Sequence, residues 1–173
     1  SFLIYGRVIY IINKNVQNIF NIKDKNKKEL RIGEVTFREE DKVIQLTNMP
    51  DDNIYNGDIG LIETIRTNTK KEIHIDFDNN IVKYTPANYN NFRLAYSISI
   101  HKSQGSEFDI VIIPIVKSYN KMLYQKLIYT AITRAKKKLY LIGDIKALEI
   151  AAKNDSCDIR RTTIKDYLIN GII

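Results

Sequence analysis

Polar and apolar side chains alternate strictly over residues 72–77, a rhythm typical of a half-buried β-strand. Residues 78–80 are Asp, Asn and Asn, which favour a hairpin turn, and residues 81–84 predict the returning strand. Residues 60–65 predict another short strand before them. Strands this short and this closely spaced predict a small antiparallel barrel, inserted between about residues 56 and 94.

The rhythm changes after residue 94, where the apolar positions become continuous runs. Residues 110–114 and 139–143 predict strands of a parallel sheet that is covered on both faces. Residues 94–100 predict a further strand, residues 121–133 a helix, and Asp144 is placed to cap the helix that follows. Strands that alternate with helices in this order predict an α/β fold with parallel strands.

The first third of the chain predicts mixed elements. Residues 12–20 carry apolar side chains on one face of a helix: Ile12, Val16, Ile19 and Phe20. Residues 23–33 are rich in charge and predict a solvated connector, whereas residues 43–46 predict a strand. We expect residues 1–55 and 95–173 to form one domain around the inserted barrel.

Composition narrows the class of protein. The net charge of +7 and the pI near 9.3 favour a polyanionic partner, with nucleic acid first. A single cysteine, Cys157, excludes an internal disulfide framework and a cysteine-based zinc site, and two histidines are too few for a histidine cluster. No metal site and no membrane span are expected, and a reducing, cytoplasmic compartment fits best. The first residue is Ser rather than Met, so we expect a piece of a longer protein.

Residues 99–109, SIHKSQGSEFD, form the densest polar cluster between two apolar runs. Because they follow a predicted strand, we expect them beyond its carboxyl end, where α/β sheets bind ligands. Hydroxyls, an amide and a glycine suit a close approach to phosphates or sugars. The alternative is a turn that merely joins two strands.

A second cluster stands at the end of the predicted helix, in residues 127–138, LIYTAITRAKKK. The helix dipole favours cations at this position, which accounts for Lys136, Lys137 and Lys138. It does not account for Arg134, whose guanidinium could bind a phosphate bidentately.

These strings resemble known motifs. HKSQGSEFD is similar to motif V and YTAITRAKKKLYLIG to motif VI of superfamily 1 helicases. Residues 37–46 and 55–60 resemble the RecD-like branch of that superfamily, and residues 13–17 its motif IV helix. The strand that precedes motif IV in the family would be residues 2–5 or lie upstream of Ser1. The resemblance implies a second RecA-like motor domain that carries an inserted SH3-like barrel.

The resemblance also implies roles for individual residues. Arg134 would be an arginine finger on the γ-phosphate of ATP. Gly105 and Glu107 would lie near the ribose and phosphates of the nucleotide. Four further residues would face single-stranded DNA or couple it to the nucleotide: Ser99, His101, Ser103 and Gln104. Tyr129 and Thr130 would pack against motif VI and orient it.

The chain contains no G-x-x-x-x-G-K-[ST] sequence and no Asp-Glu pair placed as a Walker B motif. Both belong to the first RecA-like motor domain of this family, which would also hold most of the Mg²⁺. We therefore expect the C-terminal part of an ATP-dependent DNA helicase that moves 5′-to-3′ on single-stranded DNA and is inactive alone. The alternatives are a stand-alone nucleic-acid-binding module without ATPase activity, and an adaptor that grips a protein partner.

Several other residues have two interpretations. His74 fits a barrel residue, and Asp76 and Asp78 fit a solvated hairpin better than a metal site. Four aromatic residues could stack bases or fill the barrel core: Tyr84, Tyr89, Phe92 and Tyr96. Cys157 fits a structural or exposed thiol, and residues 160–161, two arginines, could contact a phosphate or begin a helix.

Overall fold

The computed structural model describes residues 2–68, 71–116 and 124–154, with side chains from residue 8 onward. Contacts between residues divide the chain into two units, residues 1–106 and 107–173. Cys157 and residues 160–161 lie outside the described residues, so the hypotheses about them stay predictions. None of the described helices has both the length and the apolarity that crossing a membrane requires.

The first unit begins with helix α1, Phe2–Phe20, which confirms the helix predicted over residues 12–20. Residues 2–5 form its first turn, so their assignment as a strand is wrong. The segment has no proline to interrupt it, and a helix satisfies its backbone hydrogen bonds internally, without a neighbouring strand.

The charged connector is only partly a loop. Its second half forms strand β1, Glu29–Ile32, which pairs antiparallel with β2, Val35–Arg38. The prediction of a solvated loop is wrong here because Leu30 is buried and Glu29 forms an ion pair with Arg38. Gly33 adopts a φ of +60°, which permits the tight turn between the two strands.

A five-stranded antiparallel sheet forms the centre of the first unit. Its strands are β3 (Lys42–Gln45), β4 (Ile59–Arg66), β5 (Glu72–Phe77), β6 (Asn80–Tyr84) and β7 (Phe92–Leu94), in the spatial order β6-β5-β4-β3-β7. This confirms the strands predicted on either side of the hairpin, and the sheet also takes in β3, which precedes residue 56. Asp78 and Asn79 adopt positive φ values of 51° and 71°, the geometry that a two-residue hairpin loop requires.

The sheet curls strongly around its own core. Tyr84 and Phe92 lie on its two outermost strands, which would be about 19 Å apart in a flat sheet of five strands. Their ring centroids are nevertheless only 4.8 Å apart, and the Tyr84 hydroxyl donates to Gln45 Oε1 at 2.7 Å. The curvature is that of an SH3-like barrel, although no described strand pair closes it.

The interior of the curled sheet is apolar and aromatic. Its fully buried side chains include Val43, Ile65, Ile73, Ile75 and Tyr84, each with no exposed surface. Phe92 is 2% exposed, and Tyr89 packs against it. The core interpretation of these aromatics is therefore confirmed, and base stacking by Tyr84 or Phe92 is excluded because no base can reach them.

The strand predicted over residues 94–100 is wrong. Strand β7 ends at Leu94, and the chain then turns into a short 3-10 helix, Ile100–Ser103. The reason is a side chain rather than a strand partner. Asn13 of α1 donates to the Ser97 carbonyl at 2.8 Å, and the Ser97 N–H donates back to Asn13 Oδ1 at 2.9 Å.

The second unit pairs two parallel strands, β8 (Phe108–Ile115) and β9 (Ala135–Gly143), with helices α2 (Gln125–Ile132) and α3 (Ile145–Lys153). The predicted α/β class is confirmed, and Asp144 caps α3 by accepting from the Lys146 N–H at 2.8 Å. Both helices contact the sheet, and the buried side chains of this unit include Ile113, Ile115, Leu127, Ile128, Ala131, Ala147 and Ala151.

The strands of the second unit are not covered on both faces. Ile110, Ile112 and Ile142 are 56%, 60% and 58% exposed. The apolar runs were expected to be buried because parallel sheets have helices on each face. That expectation is wrong for the described residues, whose helices bury Ile113 and Ile115 and leave the alternate side chains in solvent.

Candidate functional site

The polar segment after β7 is a compact turn within the first unit. The Ser99 carbonyl accepts from the N–H groups of Lys102 at 2.9 Å and Ser103 at 3.1 Å. Ser103 is 6% exposed, and its hydroxyl donates to the Ile100 carbonyl at 2.7 Å. His101 and Gln104 are exposed, so solvent and ligands can reach their side chains.

Gly105 follows the turn with a φ of +85°, in the left-handed region that glycine favours. No heavy atom lies within 4 Å of the place where a side chain would begin. The backbone at Gly105 is therefore open to close approach, which suits a residue expected near phosphates or sugar.

Helix α1 and the residue that follows it carry a row of buried amides, one of which holds the chain just before this turn. Asn13, Gln17 and Asn21 recur every four residues and are 4%, 3% and 3% exposed. Asn13 binds both backbone groups of Ser97, two residues before Ser99. Gln17 donates to the Thr36 carbonyl at 2.9 Å. The helix thus positions backbone segments by specific hydrogen bonds rather than by apolar packing alone.

The buried carboxylate of Asp41 is the centre of this polar network. It accepts four hydrogen bonds, from Gln17 Nε2 at 2.6 Å, Asn21 Nδ2 at 2.7 Å, the Arg38 N–H at 2.7 Å and the Tyr96 hydroxyl at 2.9 Å. Burial raises the pKa of Asp41 despite these donors. Burial and the charge of Asp41 together raise the pKa of Tyr96 to about 12. Sequence reasoning missed this network, although the four-residue spacing of amides on a buried helix face could have indicated it.

Arg134 lies in the second unit, in the turn between α2 and β9. Its Nε donates to the Thr130 carbonyl at 3.2 Å, and its Nη2 to Thr133 Oγ1 at 3.3 Å. The guanidinium is thereby tied to the last turn of its own helix. Thr130 contributes to the orientation expected of it, whereas Tyr129 is 68% exposed and does not pack in the way the sequence suggested.

Glu107 and Arg134 immediately precede two neighbouring parallel strands, β8 and β9. The Phe108 N–H, which follows Glu107, donates to the Arg134 carbonyl at 2.8 Å. Both residues therefore lie at the amino ends of β8 and β9. Glu107, with the rest of residues 99–109, was expected beyond the carboxyl end of the strand before it. The strand predicted over residues 94–100, on which that expectation depended, does not form.

The lysines after Arg134 belong to β9 and not to the end of a helix, so the helix-dipole explanation for them is wrong. Lys136 Nζ lies 3.2 Å from Glu107 Oε2, and Lys137 Nζ lies 2.8 Å from Asp109 Oδ2. Both pairs are largely exposed. These two lysines neutralise the carboxylates of Glu107 and Asp109.

The exposed side chains of His101 and Gln104 can donate hydrogen bonds to a ligand, and Arg134 carries a guanidinium. A guanidinium with fixed orientation is suited to a phosphate group. Within the described ranges, no three histidine, cysteine, aspartate or glutamate side chains are grouped so as to hold a metal ion.

Comparison with known families matches two segments of the chain. Residues 94–142 match the UvrD-like helicase C-terminal domain, and residues 12–77 match the SH3 domain of ATP-dependent RecD-like DNA helicases. The two matched segments correspond to different parts of the structure. The first includes the polar turn and Arg134, and the second includes most of the curled sheet.

Individual relatives agree with the family matches. The chain is 33% identical over 141 residues to the ATP-dependent RecD2 DNA helicase of Deinococcus radiodurans, an alignment that covers 82% of this chain and 19% of that protein. It is 34% identical over 105 residues to the RecD subunit of the RecBCD enzyme of Haemophilus influenzae, covering 58% of this chain and 14% of that one. The chain thus spans less than a fifth of the length of these relatives.

A solved structure shares the fold. The Pif1 helicase from Bacteroides, in complex with ADP-AlF3 and single-stranded DNA, superimposes with a TM-score of 0.57 at 18% identity, over 95% of this chain and 43% of that one. At this identity the likeness concerns the fold alone.

Proposed function

This chain belongs to the RecD-like family of superfamily 1 helicases and matches the C-terminal region of such proteins, and we propose a role for it on that basis. It supplies the second RecA-like motor domain of an ATP-dependent DNA helicase. The motor would couple ATP hydrolysis to movement on single-stranded DNA, in the 5′-to-3′ direction that the family resemblance implies. The first RecA-like domain, which carries the P-loop in this family, would be its partner and would hold most of the Mg²⁺.

The observation that carries this proposal is the geometry of Arg134. ATP, when bound, supplies a γ-phosphoryl group whose negative charge must be stabilised as it is transferred. The guanidinium of Arg134 is held by Thr130 and Thr133 of its own helix end, so little rotamer freedom remains to be lost when it meets that charge. A module that only binds nucleic acid has no need of such a fixed arginine.

The nucleic-acid contact would come from the turn in the first unit. His101 and Gln104 are exposed there, while Ser103 and Ser99 hold the turn through their backbone and hydroxyl contacts. The net charge of +7 favours a polyanion, and the Bacteroides relative was solved with single-stranded DNA. Direct contacts of Ser99 and Ser103 with DNA stay predictions. The Ser103 hydroxyl donates to the Ile100 carbonyl, which does not favour a contact of this hydroxyl with DNA.

The test is ATP hydrolysis by the complete gene product, with and without single-stranded DNA. We expect DNA to stimulate hydrolysis and Arg134→Ala to lower the stimulated rate by about three to five powers of ten. Arg134→Lys should recover little, because an ammonium lacks the planar fork of the guanidinium. Arg66→Ala removes an exposed arginine from β4 and serves as the matched control.

Two results would reject the motor. One is a wild type that binds DNA but hydrolyses no ATP, which favours the stand-alone binding module. The other is an Arg134→Ala variant that retains wild-type activity while its circular dichroism is unchanged. Binding of DNA that does not weaken with salt would instead favour the protein adaptor, because phosphate contacts release counterions.

A further inference from the structure

The loop between β3 and β4 presents an exposed aromatic ring on a fixed backbone. Tyr55 is 51% exposed, although Ile54 immediately before it is 1% exposed. Ile54 exchanges two backbone hydrogen bonds with Met49, of 2.7 and 3.1 Å. The Tyr55 N–H donates to Asp58 Oδ2 at 2.7 Å, and its carbonyl accepts from the Asp58 N–H at 3.1 Å. The backbone that carries the ring is thus fixed on both sides.

The other aromatic side chains of this sheet behave differently. Tyr84 and Phe92 are buried, and Tyr89 and Tyr96 are partly buried against the core. An aromatic ring that stays half exposed on a rigid loop gives up the hydrophobic stabilisation that its neighbours obtain. Its exposure leaves the ring accessible to a ligand.

The same loop is joined to the polar turn. Asn56, next to Tyr55, accepts a hydrogen bond from Lys102 Nζ through its Oδ1 at 2.9 Å. Lys102 stands between His101 and Ser103, in the turn proposed to meet single-stranded DNA. The Asn56 N–H donates to Asn48 Oδ1 at 2.9 Å, so the residue that accepts from Lys102 is itself fixed within the β3–β4 loop.

The loop also leaves room for a ligand to approach. Gly57 adopts a φ of +107°, and no heavy atom lies within 4 Å of where its side chain would begin. A strand of nucleic acid that follows the turn can therefore pass close to the backbone beside Tyr55. Bases stack on aromatic rings whatever their sequence, which suits a motor that must move along any DNA.

We propose that Tyr55 stacks a base of the single-stranded nucleic acid that the turn around His101 binds, and that the bond between Asn56 and Lys102 fixes the ring relative to that turn. The inference rests on the proposed function. It adds a contact from the SH3-like sheet to those expected from the motif V segment.

The test measures binding of a fluorescently labelled oligothymidylate to the complete gene product. Stacking of a base contributes about 1–3 kcal/mol, so Tyr55→Ala should weaken binding roughly 5- to 150-fold. Tyr55→Phe should bind like wild type, because the ring is retained. Phe20→Ala removes a ring that is 79% exposed on α1 and should change nothing. The dependence on salt should keep its slope, because no phosphate contact is lost.

An oligonucleotide with one abasic site, moved along its length, identifies the stacked base. At one position the missing base should weaken binding by wild type but not by Tyr55→Ala. The inference is overturned if Tyr55→Ala binds as tightly as wild type, or if the abasic penalties of the two proteins are identical at every position. If wild type binds no oligonucleotide at all, the proposed function fails as well, and this separates the two failures.

Discussion

The two units differ in how fully their strands bury isoleucine. In the first, Ile65, Ile73 and Ile75 have no exposed surface, because the antiparallel sheet curls around them. In the second, Ile110 and Ile112 are 56% and 60% exposed, although their strand is a nearly continuous apolar run. The curled antiparallel sheet covers much of its own inner face, and Leu30 and Phe37 of the β1–β2 hairpin complete the core. A parallel pair needs a covering layer on each face. Local sequence specifies the first kind of core more completely than the second.

The carboxylates of the two units also differ in burial. Asp41 in the first unit is fully buried and accepts four hydrogen bonds. Glu107 and Asp109 in the second unit lie on the surface, each beside one lysine. A buried carboxylate depends on all its donors, while an exposed pair competes with water and salt. The polar groups of the first unit should therefore matter more for stability.

The largest expected difference is between two isoleucine truncations. Ile75→Ala leaves a cavity in a closed core and should lower the free energy of unfolding by about 2–5 kcal/mol. Ile112→Ala shortens an exposed side chain and should cost less than about 0.5 kcal/mol. Urea denaturation measures the loss in free energy of unfolding for each variant. Amide hydrogen exchange in β5 and β8 shows which unit is destabilised. Equal losses in the two variants would mean that the exposed face of β8 is covered in solution.

The sequence predicted the central hairpin well because both of its determinants are local. Strict alternation over residues 72–77 specifies which face is buried, and the residues after it accept the left-handed backbone of the turn. The parallel strands were predicted from their apolar runs. What covers each of their faces is a property of other elements, so the predicted burial of Ile110 and Ile112 was wrong.

The candidate site shows the same limit. The residues of the polar turn and Arg134 were predicted from their motifs, since residue type and order carry that information. The course of residues 95–99 was not, because their backbone partner is the Asn13 side chain, 84 residues away from Ser97. Asp41 was not singled out from the sequence, because only the structure places Gln17 and Asn21 around it. Tyr55 was overlooked because only the structure shows that its ring is left outside the core.

A smaller effect is expected from the Tyr96 hydroxyl. Tyr96→Phe removes the donor to the buried Asp41 carboxylate and should cost about 1.5–3 kcal/mol at neutral pH. The pKa of Tyr96 is raised to about 12 in the folded chain, against about 10 when unfolded. A raised pKa means that this contribution is fully present below pH 10 and is lost as the pH rises through 12. The stabilities of wild type and Tyr96→Phe should therefore converge above pH 10.

Urea midpoints measured from pH 8 to 11.5 give this convergence directly. Tyr55→Phe is the control, because it removes a tyrosine hydroxyl from an exposed ring that does not belong to the Asp41 network. If the gap between wild type and Tyr96→Phe stays constant across this range, the hydroxyl does not donate to a charged Asp41 in solution.

The smallest stability effect is expected at Glu107, and its size makes the residue informative. Glu107→Gln and Asp109→Asn each break one exposed ion pair of β8, so each should change the free energy of unfolding by less than about 1 kcal/mol. In 1 M salt, where the screening length is about 3 Å, both changes in the free energy of unfolding should disappear.

The two variants are thus matched in structure and differ only in the role assigned to them. If Glu107 lies near the nucleotide, Glu107→Gln should lower DNA-stimulated ATP hydrolysis by the complete gene product at least about tenfold, while Asp109→Asn should not, a difference of about 1.4 kcal/mol in the barrier. Equal activity of both variants would reduce Glu107 to a partner of Lys136 and leave Arg134 as the only member of the second unit with a proposed part in the chemistry.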